Sequence, residues 1–102
     1  MTLKEQLQAE FTITLPISGG MGTSIEDAII IHKNEDRNCA QLEKDIIRYI
    51  LQLKGVEWQM VMQGQVSAAL FKYYDKIIVE TYNSEIKTMS FYFDINECLK
   101  RK

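Results

Sequence analysis

The chain has 102 residues, of which 46% are apolar and 25% charged, proportions that suit one globular domain (1–102) with a single modest core. Its 12 basic and 14 acidic residues leave a net charge of −2, a balance with no field to hold a phosphate backbone or an anionic membrane. The one obvious basic cluster is the tail Lys100-Arg101-Lys102.

Met1 to Glu10 carries Lys4, Glu5 and Glu10 and lacks the apolar core of a signal peptide. No apolar run nears the ~18 residues of a membrane-spanning helix, so the expected compartment is the cytoplasm. Cys39 and Cys98 are too few and too distant for a secreted disulfide scaffold, and read as two thiols in a reducing compartment.

In chain order, Thr2 to Ala9 predicts a short amphipathic helix with Leu3 and Leu7 on one side. Phe11 to Leu15 alternates and is rich in β-branched residues, which predicts a strand ending at Pro16. The glycine loop Ser18 to Ser24 has neither the lysine that closes a phosphate-binding loop nor the dinucleotide spacing, so it reads as a connection with positive φ angles. Thr23 to Asp27 predicts a capped helical turn, and Ala28 to His32 an inner strand apolar on both faces. Asn34 to Asn38 is a polar connection.

Asn38 to Lys54 predicts one long helix, capped by Asn38 and ended by Gly55. Cys39, Leu42, Ile46, Tyr49, Ile50 and Leu53 form its apolar stripe, widened by Ile47 and Leu51. Glu43, Lys44, Arg48 and Gln52 are placed on its wet side. Val56 to Val66 predicts a strand with Val56, Trp58, Met60 and Met62 toward the helix and a bulge at Gly64. Ser67 to Tyr74 fits either a short helix or a greasy hairpin tip.

Tyr74 to Ile95 predicts a β-hairpin. A three-residue loop, Asn83 to Glu85, sets Val79 opposite Met89 and Ile77 opposite Phe91, which makes one face continuously apolar. Asp94 to Leu99 predicts a terminal helical turn. These elements define an α+β fold: a mostly antiparallel sheet of four to five strands with one long helix packed on one face.

No reactive constellation stands out. Asp27, His32 and Cys39 could form a thiol–histidine site, but Cys39 falls on the core stripe. One histidine and two remote cysteines make no metal set. Asp75 with Glu85 and Lys87 echoes metal-dependent nucleases, yet the hairpin register holds Asp75 far from the other two. Tyr82 and Tyr92, on the sheet face away from the helix, could stack single-stranded bases but lack interleaved basic residues.

The motifs Ser18-Gly19-Gly20, Glu26-Asp27-Ala28-Ile29, Tyr74-Asp75 and Tyr92-Phe93-Asp94-Ile95 resemble a group of small bacterial proteins sharing a glycine loop, Glu-Asp-Ala-Ile, Tyr-Asp and Tyr-Phe-Asp-Ile pattern. The resemblance covers about Ser18 to Ile95 and departs at Ala68 to Phe71. It implies a bacterial cytoplasmic protein and carries no activity or functional residue.

The expected function is therefore non-enzymatic protein–protein interaction, as a homodimer or a small partner-neutralising protein. The interface candidates are Leu70, Phe71, Tyr73, Tyr74, Tyr82 and Tyr92. No cofactor, metal, small-molecule ligand, nucleic acid or membrane is expected. The alternatives are a metal-dependent nuclease-like hydrolase and a single-strand nucleic-acid-binding module.

Overall fold

The computed structural model describes residues 2–33, 38–69 and 72–98. The elements follow as α1 (Leu3–Phe11), β1 (Ile17–Gly19), β2 (Ile29–Ile31), α2 (Cys39–Lys54), β3 (Glu57–Ala69), β4 (Lys72–Tyr82) and β5 (Ile86–Asp94). The strands form one five-stranded sheet in the order β1-β2-β5-β4-β3. The sheet is mixed rather than wholly antiparallel. β5 lies parallel to β2, because the chain leaves β2, crosses through α2 and returns by way of β3 and β4.

The β4–β5 hairpin has the register its alternation predicts. Val79 faces Met89 and Ile77 faces Phe91, with Tyr82 opposite Ile86 across the Asn83–Glu85 loop. Ile77, Val79, Phe91 and Phe93 are buried together with Ile29 and Ile31 of β2 and Leu42, Ile46, Ile47, Ile50 and Leu51 of α2. Removing side chains of this size from water contributes about 1.5–3 kcal/mol each, before the entropy of ordering them.

The long helix starts and stops as expected. Asn38 Oδ1 accepts from the Gln41 N–H, and Gly55 closes α2 at φ 67° with its N–H bonded to the last turn. α1 is a second helix on the same core. Thr2 and Glu5 cap it reciprocally, Leu3 and Leu7 are buried, and the Phe11 ring sits 4.8 Å from that of Tyr49 on α2.

Four expectations are corrected. Phe11 to Leu15 is not a strand: α1 runs through Phe11, Thr12 ends it at φ 55°, and pairing begins only after Pro16. Leu15 is nonetheless buried, with Phe11 and Ile13 packed on the core. The alternation thus reports a segment laid over the core, and periodicity does not separate that from a paired strand.

The register of β3 shifts at Val61 and again between Ser67 and Ala69, not at Gly64. Met60 faces Val79 while Met62 faces Ile78, and Gly64 pairs regularly with Lys76. Trp58 and Met60 pack on the core as expected, but the extra residue turns Met62 to the other side of the sheet, where it is 53% exposed.

Thr23 to Asp27 keeps the expected Ser24 cap, with the Asp27 N–H donating to Ser24 Oγ, but forms a bend and turn rather than a helical turn. Finally, Cys39 and Cys98 are joined in a disulfide, not held as two thiols, with their Cα atoms 6.3 Å apart. Their separation of 59 residues in sequence gave no sign that the C-terminal turn returns to the start of α2.

Ser67 to Tyr74 resolves as a hairpin, with β3 reaching Ala69 and β4 starting at Lys72. Leu70 and Phe71, at its tip, lie outside the described residues.

Candidate functional site

Three places gather polar or unpartnered groups. The first joins α2 to the sheet. Asp75 lies on the helix-facing side of β4, two residues before Ile77, with Phe93 opposite on β5. Glu43 of α2, assigned to the wet side by helical spacing, is buried and only 1% exposed. Burial, then its hydrogen bond with Asp75 and the nearby negative charge, push the Glu43 pKa up to about 9. Glu43 is therefore a neutral acid at physiological pH, donating to the Asp75 carboxylate, while its Oε2 has no hydrogen-bond partner.

This pair does not extend into a metal centre. Among the described residues no three His, Cys, Asp or Glu side chains converge. Glu85 sits in the β4–β5 turn and Lys87 faces Thr81, six positions along β4 from Asp75 and so about 20 Å away. The fold does not bring Asp75, Glu85 and Lys87 together.

The second place is on the β1–β2 side. Ser18 pairs with Ile30 and His32 follows two residues later, so both lie on the sheet face away from the helices. Ser18 Oγ is 2.8 Å from His32 Nε2, and His32 Nδ1 is 2.8 Å from Glu97 Oε2. The other Glu97 oxygen accepts the Lys33 N–H. A carboxylate can only accept here, so Nδ1 carries a ring proton, and in the neutral ring Nε2 is left as the acceptor for the serine hydroxyl.

Glu97 reaches His32 because two devices fix the C-terminal turn. The Cys39–Cys98 disulfide ties the next residue to the start of α2. Asn96 exchanges a hydrogen-bond pair with the backbone of Tyr73 and donates to Asp94 Oδ1. The combination of Asp27, His32 and Cys39 is not formed. Asp27 instead accepts from the Met21 N–H and the Thr23 hydroxyl, holding the glycine loop closed. Sequence spacing could not have found the Ser18–His32–Glu97 chain, since its members come from β1, the end of β2 and the C-terminal turn.

The third place is the sheet face opposite the helices. Across β3, β4 and β5, Met62 lies beside Ile78 and Ser90, Gly64 beside Lys76 and Tyr92, and Val66 beside Tyr74 and Asp94. None of Met62, Val66, Tyr74, Ile78 and Tyr92 is fully buried. Of the candidate interface residues, Tyr74, Tyr82 and Tyr92 share this face, whereas Tyr73 packs against the core on the other side. Lys76 Nζ lies 5.4 Å from the Tyr92 ring centre, on the surface a nucleobase would need, and the Tyr82 hydroxyl donates to Glu80.

These features define a two-layer α+β protein with two helices on one side of a mixed sheet and, on the other, an apolar strip that no helix among the described residues covers. No protein family, curated protein or solved structure matches the chain. None of the helices among the described residues is long and apolar enough to cross a membrane.

Proposed function

We propose that the protein works by binding protein, and that a second copy of this chain occupies the uncovered sheet face. One observation carries the reading: Met62, Val66, Tyr74, Ile78 and Tyr92 adjoin in register on a face that no helix among the described residues covers. An accessible apolar strip bordered by charge is the composition of an interface core and its rim.

The charges favour a self-complementary arrangement. Lys72 and Lys76 lie toward one end of the face, where Asp94 also stands, and Glu57 and Glu80 toward the other. A two-fold axis through Ile78 lays the basic end of one copy on the acidic end of its partner. Sedimentation velocity over a concentration series tests this: the expected species is a dimer, and Ile78→Lys returns it to monomer. A wild-type chain that stays monomeric at every concentration rejects the reading.

As to compartment, the Cys39–Cys98 disulfide favours an oxidising one over the expected cytoplasm. Alkylating free thiols at the moment of cell lysis and weighing the intact protein distinguishes the two.

A further inference from the structure

We propose that Ser18, His32 and Glu97 form an acyl-transfer centre that cleaves esters. The centre is independent of the dimer, and two observations carry it.

First, nucleophile, base and orienting carboxylate are each one hydrogen bond apart, at 2.8 Å for Ser18 Oγ to His32 Nε2 and 2.8 Å for His32 Nδ1 to Glu97 Oε2. An exposed serine hydroxyl is a weak nucleophile until a neighbouring base takes its proton, and that base must present the correct nitrogen. Glu97 fixes that tautomer, and the disulfide at Cys98 fixes Glu97.

Second, an unpaired backbone donor adjoins the serine. β1 is an edge strand, and its ladder to β2 uses the Gly20 N–H and the carbonyl of Pro16. Alternation along an antiparallel strand therefore turns the Gly19 N–H away from β2, to the open edge. That N–H belongs to the residue after the serine, a position from which a backbone amide can stabilise the tetrahedral oxygen.

The reaction balances with water as the only co-reactant. Ser18 Oγ attacks the ester carbonyl while its proton passes to His32 Nε2. The tetrahedral intermediate collapses, the C–O bond breaks, and the alcohol leaves with the proton returned from Nε2. Water then attacks the acyl-serine, giving its proton to Nε2, and Ser18 departs with that proton as the carboxylic acid is released.

The test treats the full oxidised chain with a fluorophosphonate probe, maps the adduct by peptide mass spectrometry, and follows hydrolysis of p-nitrophenyl acetate and butyrate. The adduct is expected on Ser18, and Ser18→Ala and His32→Ala are expected to remove both adduct and turnover. Glu97→Gln, a positioning change, is expected to lower kcat by roughly 10²-fold with KM nearly unchanged, a split that mere loosening of the fold does not produce. Circular dichroism confirms that each variant folds. A folded wild-type chain that takes no probe at Ser18, or hydrolyses both esters no faster than Ser18→Ala, overturns the proposal.

Discussion

Glu43 of α2 and Asp75 of β4 meet as a hydrogen-bonded acid pair across the interface between helix and sheet. The arrangement holds one carboxyl neutral and buried, with one of its oxygens unpartnered. It is a polar contact inside a largely apolar surface. The folded protein keeps the Glu43 proton up to about pH 9, while the unfolded chain releases it near 4.5.

The sign of the resulting pH dependence follows. Between those two values the native state binds more protons than the unfolded state, so stability falls as pH rises. The contribution is fully present below about pH 4.5 and is lost as pH passes through about 9. Urea unfolding at a series of pH values is expected to show this decline, set against the opposite trend of carboxylates stabilised in their charged form. Glu43→Gln removes the ionisation and is expected to flatten the slope, stabilising the protein above neutrality by about 1–3 kcal/mol. An unchanged slope in the variant would remove Glu43 as the cause.

The disulfide closes a long loop between α2 and the C-terminal turn. Reducing it, or replacing both residues by serine, is expected to cost about 2–4 kcal/mol, chiefly by enlarging the unfolded ensemble. The local effect is separable: with Cys98 released, Glu97 loses its tether and the His32 ring its fixed partner. Denaturant midpoints of oxidised and reduced protein give the first quantity. The His32 ring resonances by NMR give the second, and are expected to broaden on reduction.

Gly22 is expected to resist substitution. It adopts φ +85°, its N–H donates to the Asp27 carbonyl, and its own carbonyl accepts from the Tyr92 N–H on β5. A Cβ there would press on Ile29 at 3.0 Å. Gly22→Ala is expected to destabilise by about 1–3 kcal/mol, combining left-handed strain with the crowding of a core residue. Hydrogen exchange at the Tyr92 amide should accelerate in parallel, whereas a neutral variant with unchanged protection would show that the loop does not brace β5.

Met62→Lys separates association from folding. Met62 is 53% exposed on the outer face, so its replacement should alter monomer stability by no more than about 0.5 kcal/mol. The same change places a charge beside Ile78 and should weaken the proposed dimer at least tenfold in sedimentation equilibrium. Loss of stability without loss of association would locate Met62 in the core of the monomer instead.

Much of the scaffold is legible residue by residue. The alternation of Ile77 and Val79 against Met89, Phe91 and Phe93 specifies the hairpin and its three-residue loop, because a slip of one position would turn every one of those side chains over. Asn38 and Gly55 mark the limits of α2, since caps answer to the local backbone alone. The Val61 bulge is hidden because Met60, Val61 and Met62 are all apolar, and an unbroken apolar run carries no mark of which residue is extra.

What the residue order determines by itself is what depends on neighbours a few positions away: helix spans, turn geometry, the buried face of the hairpin. The remaining features belong to the tertiary structure. The burial of Glu43 against Asp75, the Cys39–Cys98 bond, and the hydrogen-bond chain from Ser18 through His32 to Glu97 each join segments far apart in the chain. Such meetings arise only when β5 returns beside β2 and carries the C-terminal turn to the start of α2, because proximity across a sheet leaves no periodic trace along the chain.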